Sequence, residues 1–135
     1  MIDTNVFVSA AISNGVPHRV VQDWLERRPF ELVTCPQLLA ELNEVLVDRP
    51  KLRRWICLDD ARAIIDRLGT EATLVDDPAE TGPITRDGDD DFLIALAREQ
   101  HLDFIVSGDL DLLEWDGTNP RVVTPADFEA LIAEP

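Results

Sequence analysis

Tyrosine is absent from this 135-residue chain, and cysteine, histidine and glycine are scarce, with two, two and six copies. Cys35 and Cys57 are too few for a disulfide framework and lack CxxC or Cys/His ligand spacing, so they read as buried or idle thiols rather than zinc ligands. His18 and His101 fall on helical segments without a partnered serine or cysteine motif, which argues against a nucleophilic triad and gives both a structural role. The glycines form neither GxGxxG nor GxxxxGK[ST], which removes the usual phosphate loops. Apolar runs are only a few residues long, and a basic start followed by an apolar stretch is missing. The expectation is therefore a soluble, cytoplasmic protein with no membrane partner. Without tyrosine, an obvious surface for stacking an RNA base is also missing.

Cations are few as well, 12 against 27 carboxylates, for a net charge of -15. That balance excludes a general nucleic-acid sleeve, whose affinity comes from Lys and Arg. Residues 1–54 hold seven acids and seven cations, so the acidic excess lies in residues 55–135. Arg49, Lys51, Arg53 and Arg54 form the candidate basic patch, equally a solvated turn between helices or a phosphate contact. What remains is an ordinary globular composition, 45% apolar and 29% charged, of a length that suits one domain over 1–135.

The chain opens on an apolar stub, Met1-Ile2, running into Asp3-Thr4-Asn5 as a strand does when it ends in a polar loop. This strand is shorter than the usual five residues, which fits either a short strand or one completed by residues upstream. Val20, Val21, Trp24 and Leu25 predict a helix from Pro17 to Arg28 whose stripe serves the core. A β-prone run over 30–34 precedes a helix opened by Pro36 and continued through Leu46. Next come a helix near Asp59–Leu68 ending at Gly69, a strand over Ala72–Val75 and a loop from Asp76 to Gly88, the segment expected to move most. A helix over Asp89–His101, strands over Phe104–Ser107 and Arg121–Thr124 and a helix over Pro125–Ala133 complete the pattern. Alternating strands and helices imply an α/β fold with a parallel sheet covered on both faces.

In such sheets ligands gather beyond the carboxyl ends of the strands, where Asp3 and Asp109 fall. Asp89-Asp90-Asp91 opens a helix, where capping explains one or two of the three. Glu41 borders an apolar helical stripe, a place where a solvated position is the commoner reading for a lone acid. Carboxylates brought together repel unless a cation neutralises them, and hard divalent ions do so. Such an ion polarises phosphoryl oxygen, lowers the pKa of water and screens a polyanion from the acids. Metal-assisted phosphodiester hydrolysis follows as the leading chemistry, and a phosphatase or DNA nuclease would use the same one.

Four segments in order carry a family resemblance: residues 2–7 (IDTNVF), 35–42 (CPQLLAEL), 89–97 with Asp89-Asp90-Asp91 and Ala95-Leu96-Ala97, and 105–109 (IVSGD). The chain resembles a PIN domain, in particular the toxin component of type II toxin–antitoxin pairs, from Ile2 to about Thr124. The resemblance implies a three-layer α/β/α sandwich with a central parallel sheet and a Mg²⁺- or Mn²⁺-dependent endoribonuclease. By that resemblance Asp3, Glu41, Asp90 and Asp109 match the acidic quartet. Asp3, Asp90 and Asp109 would ligate metal, and Glu41 would assist binding or orient water. Asn5 and Ser107 are neighbouring polar positions, and Arg49, Lys51, Arg53 and Arg54 would contact the RNA. The spacing to Ala97 favours Asp90, with Asp91 a close second. Asp111 can replace or assist Asp109, and Glu44 is a weaker substitute for Glu41. Cys35 stands where the family usually has serine. The resemblance also implies a cognate antitoxin protein and a homodimer. The alternative from another class is a non-catalytic PIN-fold module that binds a partner.

Overall fold

A computed structural model describes residues 1–79, 88–117 and 119–133, with the side chain of Asp89 outside the description. Helices dominate: α1 (Thr4–Ile12), α2 (Val16–Arg27), α3 (Pro36–Asn43), α4 (Leu58–Glu71), α5 (Gly88–Glu99), α6 (Leu110–Leu113) and α7 (Pro125–Ala133). Among the described residues four short strands alternate with them, β1 (Val33–Thr34), β2 (Thr73–Leu74), β3 (Phe104–Val106) and β4 (Arg121–Val123). Most of the predicted loop over 76–88, with the mobility expected of it, lies outside the described residues.

All observed pairing is parallel, β1 with β2 and β3 with β4, and Ile2 adds a single parallel bridge to Val106. The α/β class holds, and among the described residues the strands pair two by two rather than in one continuous ladder. The cause is length. The chain turns into α1 directly after Asp3, so the opening segment contributes one bridge where a longer strand would contribute a ladder. Successive residues of a strand face opposite ways, and β3 uses both faces. Val106 joins a core with Ile2, Val6, Val20, Trp24, Leu46 and Phe128, whereas Ile105 joins one with Leu38, Leu93, Leu96 and Leu112.

Several element boundaries depart from the sequence pattern. The polar stretch after Ile2 is the first turn of α1, whose Val6, Phe7 and Ala10 are buried. Helix α4 passes through Gly69 and ends only at Glu71, whose carboxylate accepts from Arg67 and Arg28 and is held below the usual glutamate range by Arg67 first. Gly69 is exposed within that helix, and a β-carbon there would meet nothing within 4 Å. Gly69→Ala is therefore expected to stabilise the protein by about 0.5–1 kcal/mol by restricting the unfolded chain. A higher urea midpoint with an unchanged slope would be the result, and a lower midpoint would show a constraint on this turn. Val20, Val21 and Trp24 are buried, as their spacing predicts. Helix α5 closes with His101 in the left-handed region, φ 53°, and with Leu102 N–H donating to the Ala97 carbonyl. That turn gives His101 a structural role in stopping the helix.

After α3 the chain widens into a π-helical turn, Glu44–Asp48, and then a 3₁₀ turn, Pro50–Arg54. Buried Leu52 anchors the second turn, and Arg53 donates Nη2 to the Leu46 carbonyl. The four cations therefore divide: Arg53 is turned into the protein, and Arg49, Lys51 and Arg54 stay exposed.

Candidate metal centre

Two parallel strand ends build the site. Asp3 N–H donates to the Val106 carbonyl at 2.9 Å and Val106 N–H to the Met1 carbonyl at 2.9 Å, so Asp3 and Ser107 leave adjacent strands side by side. Ser107 is fully buried and its hydroxyl is the hub. It donates to Asp3 Oδ2 at 2.8 Å and accepts from Asp109 N–H at 3.0 Å, with Asn5 Nδ2 a longer donor at 3.5 Å. Asn5 also receives Gly108 N–H on Oδ1 at 3.3 Å. Asn5 and Ser107 thus bind the ends of α1 and β3 together.

Beyond Ser107 the chain turns sharply. Asp109 caps the short α6, accepting Asp111 N–H on Oδ1 at 2.9 Å, and this local turn brings both carboxylates to one side. The start of α5 supplies the third. Oxygens of Asp90, Asp109 and Asp111 lie within 4.8 Å of one another, with Asp90 buried and the other two partly so. Asp3, Asp91 and Glu41 are outside this group. Asp91 is buried one residue farther along α5, and Glu41 is exposed on α3. Burial raises the Asp3 carboxyl pKa, the Ser107 and Thr4 hydrogen bonds oppose that shift, and the nearby Asp109 charge adds to it.

Three carboxylates at this spacing are a hard-oxygen donor set, suited to Mg²⁺ or Mn²⁺ and unsuited to a soft ion. The thiols are not among the grouped donors: Cys35 is buried, its pKa pushed up to about 11 by burial, and Cys57 is exposed. The sequence paired Asp90 with Asp109 and offered Asp111 as a replacement or an assistant for Asp109, and the structure brings all three carboxylates together.

A model of the PIN domain matches residues 1–111, which include every acid named above. The chain belongs to the PIN domain family. PIN domains are typically nucleases that bind divalent metal and act on RNA, and the carboxylate cluster fits that pattern. The chain is also similar to the uncharacterised protein MJ1680 of Methanocaldococcus jannaschii, 29% identical over 138 residues, covering 95% of this chain and 87% of the relative. No helix among the described residues is long and apolar enough to cross a membrane.

Ser107 gives this PIN domain a direct test of its framework. Ser107→Ala removes the donor to Asp3 and the acceptor for Asp109 N–H in a buried setting, and should cost about 1–3 kcal/mol. The expected readout is a lower urea midpoint together with weaker metal-dependent activity. A midpoint equal to the wild type's would show that the hydroxyl does not join the two strand ends.

Proposed function

We propose that this PIN domain, on a three-layer α/β/α scaffold, is a metal-dependent endoribonuclease that hydrolyses RNA phosphodiester bonds. The observation that carries the proposal is the convergence of Asp90, Asp109 and Asp111 beyond the carboxyl end of β3. In the proposal these residues hold Mg²⁺ or Mn²⁺, with Asp3 as a further ligand, direct or through water. The bound ion supplies Lewis acidity toward the phosphoryl group and a lowered water pKa. Ser107 fixes the Asp3 carboxylate, and the Asp109 cap keeps Asp111 beside it. Asp91 supports the start of α5, and Glu41 orients the attacking water from α3. Because the chain carries a net charge of -15, neutralising the acids also lets a polyanion approach.

The test is cleavage of labelled RNA by the purified protein in Mn²⁺, Mg²⁺ or EDTA, beside single-stranded DNA and a phosphomonoester. Metal-dependent internal cuts in RNA alone are the expected result. Equal cutting in EDTA would contradict the proposal, and preferred cutting of DNA or the monoester would redirect it to another phosphoester. Metal binding with no cleavage of any substrate would support the partner-binding alternative. The toxin role, with its antitoxin and homodimer, extends the same proposal. Expression should arrest growth, and Asp109→Asn should relieve the arrest. Arrest by both proteins alike would separate toxicity from the site.

A further inference from the structure

The basic segment and the exposed tryptophan beside it make a second surface. Arg49, Lys51 and Arg54 line a cavity of about 420 Å³ with Trp55, over an apolar floor of Val8, Val45 and Leu52. Trp55 is 50% exposed, an unusual position for the largest apolar side chain, and the Arg54 guanidinium lies 5.2 Å from its ring centroid. None of the three cations forms an ion pair among the described residues, although the chain has more than twice as many acids as cations. A concentration of unneutralised cations on so acidic a protein marks a surface kept for an anion. The tryptophan narrows the choice, because a flat aromatic ring between cations suits alternating bases and phosphates. Its floor residue Val8 belongs to α1, the helix that starts directly after Asp3, and five residues of helix span roughly 7.5 Å. The cavity therefore borders the same short helix that Asp3 caps.

We infer that this cavity is a subsite for single-stranded RNA, in which Trp55 stacks one base and Arg49, Lys51 and Arg54 hold the adjoining phosphates. The inference rests on the ribonuclease reading for its choice of RNA and adds to it the place where an unpaired stretch of that RNA is held. A duplex hides its base faces and cannot use the ring. Arg53 takes no part, since it is absent from the cavity lining and its Nη2 is turned inward to the Leu46 carbonyl.

Binding can be measured without cleavage, by fluorescence anisotropy of a short fluorescein-labelled oligouridylate in EDTA at low salt. Trp55→Ala is expected to weaken binding roughly tenfold, and Trp55→Phe to keep most of the affinity. Lys51→Ala should flatten the dependence of log affinity on log salt by about one unit of slope. Arg62→Ala, which removes a charge from the exposed face of α4, should change binding far less. Unchanged binding by Trp55→Ala, equal affinity for a duplex of the same length, or Trp55-dependent binding of polyglutamate in preference to RNA would each overturn the inference. The last would make the surface a dock for an acidic protein. Because the assay holds no metal, the two readings fail separately. Cleavage with no effect of Trp55 removes the subsite alone, and Trp55-dependent binding without metal-dependent cleavage removes the nuclease alone.

Discussion

Asp90→Asn should reduce metal-dependent RNA cleavage by about 100-fold or more while leaving the fold intact. Asparagine keeps the shape of the side chain and removes the charge from the most buried member of the carboxylate cluster. Loss of even an outer-shell partner of a metal site commonly costs 10- to 100-fold, so a change in the cluster itself is expected at or beyond the upper end. Stability supplies a second signature. Without metal, the three clustered carboxylates repel, and the variant should be as stable as the wild type or more so. With metal at about 100 times its dissociation constant, the wild type should gain about 2.7 kcal/mol and the variant much less. Thermal unfolding in EDTA and in Mn²⁺ reads both effects. A variant equally stabilised by Mn²⁺, with cleavage intact, would remove Asp90 from the centre.

Trp24→Ala should bring the largest loss of stability, about 3–5 kcal/mol. Trp24 is 2% exposed and belongs to the core shared by Ile2, Val20, Leu46 and Phe128, and Arg28 sits 4.3 Å from its ring centroid. Truncation leaves a large cavity that helix packing closes only in part. For a domain of this size that amounts to a melting temperature lower by roughly 10–20 °C, a large share of an ordinary domain's stability. Calorimetry of wild type and variant checks the size. A fall of only a few degrees would mean that α2 is held chiefly by other contacts, such as the paired hydrogen bonds from Arg19 to Glu129 on α7.

The helices were legible where a sequence signal coincided with a physical stop or start. Pro36 and Pro125 open α3 and α7 at the residues expected, and the Val20–Leu25 stripe marks the buried side of α2. Helix α1 was not legible, because Val6, Phe7 and Val8 are as suited to a strand and the apolar side chains surround the helix. Gly69 misled in the other direction, since α4 runs past a residue that commonly ends helices to Glu71, which accepts from Arg67 and Arg28. The strand pattern suggested one sheet, and among the described residues ladders of two or three residues form separate pairs.

At the site, Asp3 and Asp109 could be found because acids after parallel strands fall at one edge. Asp90 was preferred to Asp91 only through the family resemblance, because neighbouring residues on a helix differ in direction by about 100° and only packing sets the phase. Asp111 enters through the cap made by Asp109, a local hydrogen bond that two acids two residues apart do not announce. Trp55 adjoins the cations in sequence, but nothing in its neighbours distinguishes a surface tryptophan from a core one. Its exposure is a property of the fold.

The measurement that bears most directly on the metal centre is a calorimetric titration of the purified protein with Mn²⁺, wild type against Asp109→Asn, with RNA cleavage followed in the same preparations. Saturable binding in the wild type, weakened in the variant together with cleavage, is the expected result. Mn²⁺ binding and RNA cleavage that both survive the substitution unchanged would contradict a catalytic metal held by Asp90, Asp109 and Asp111.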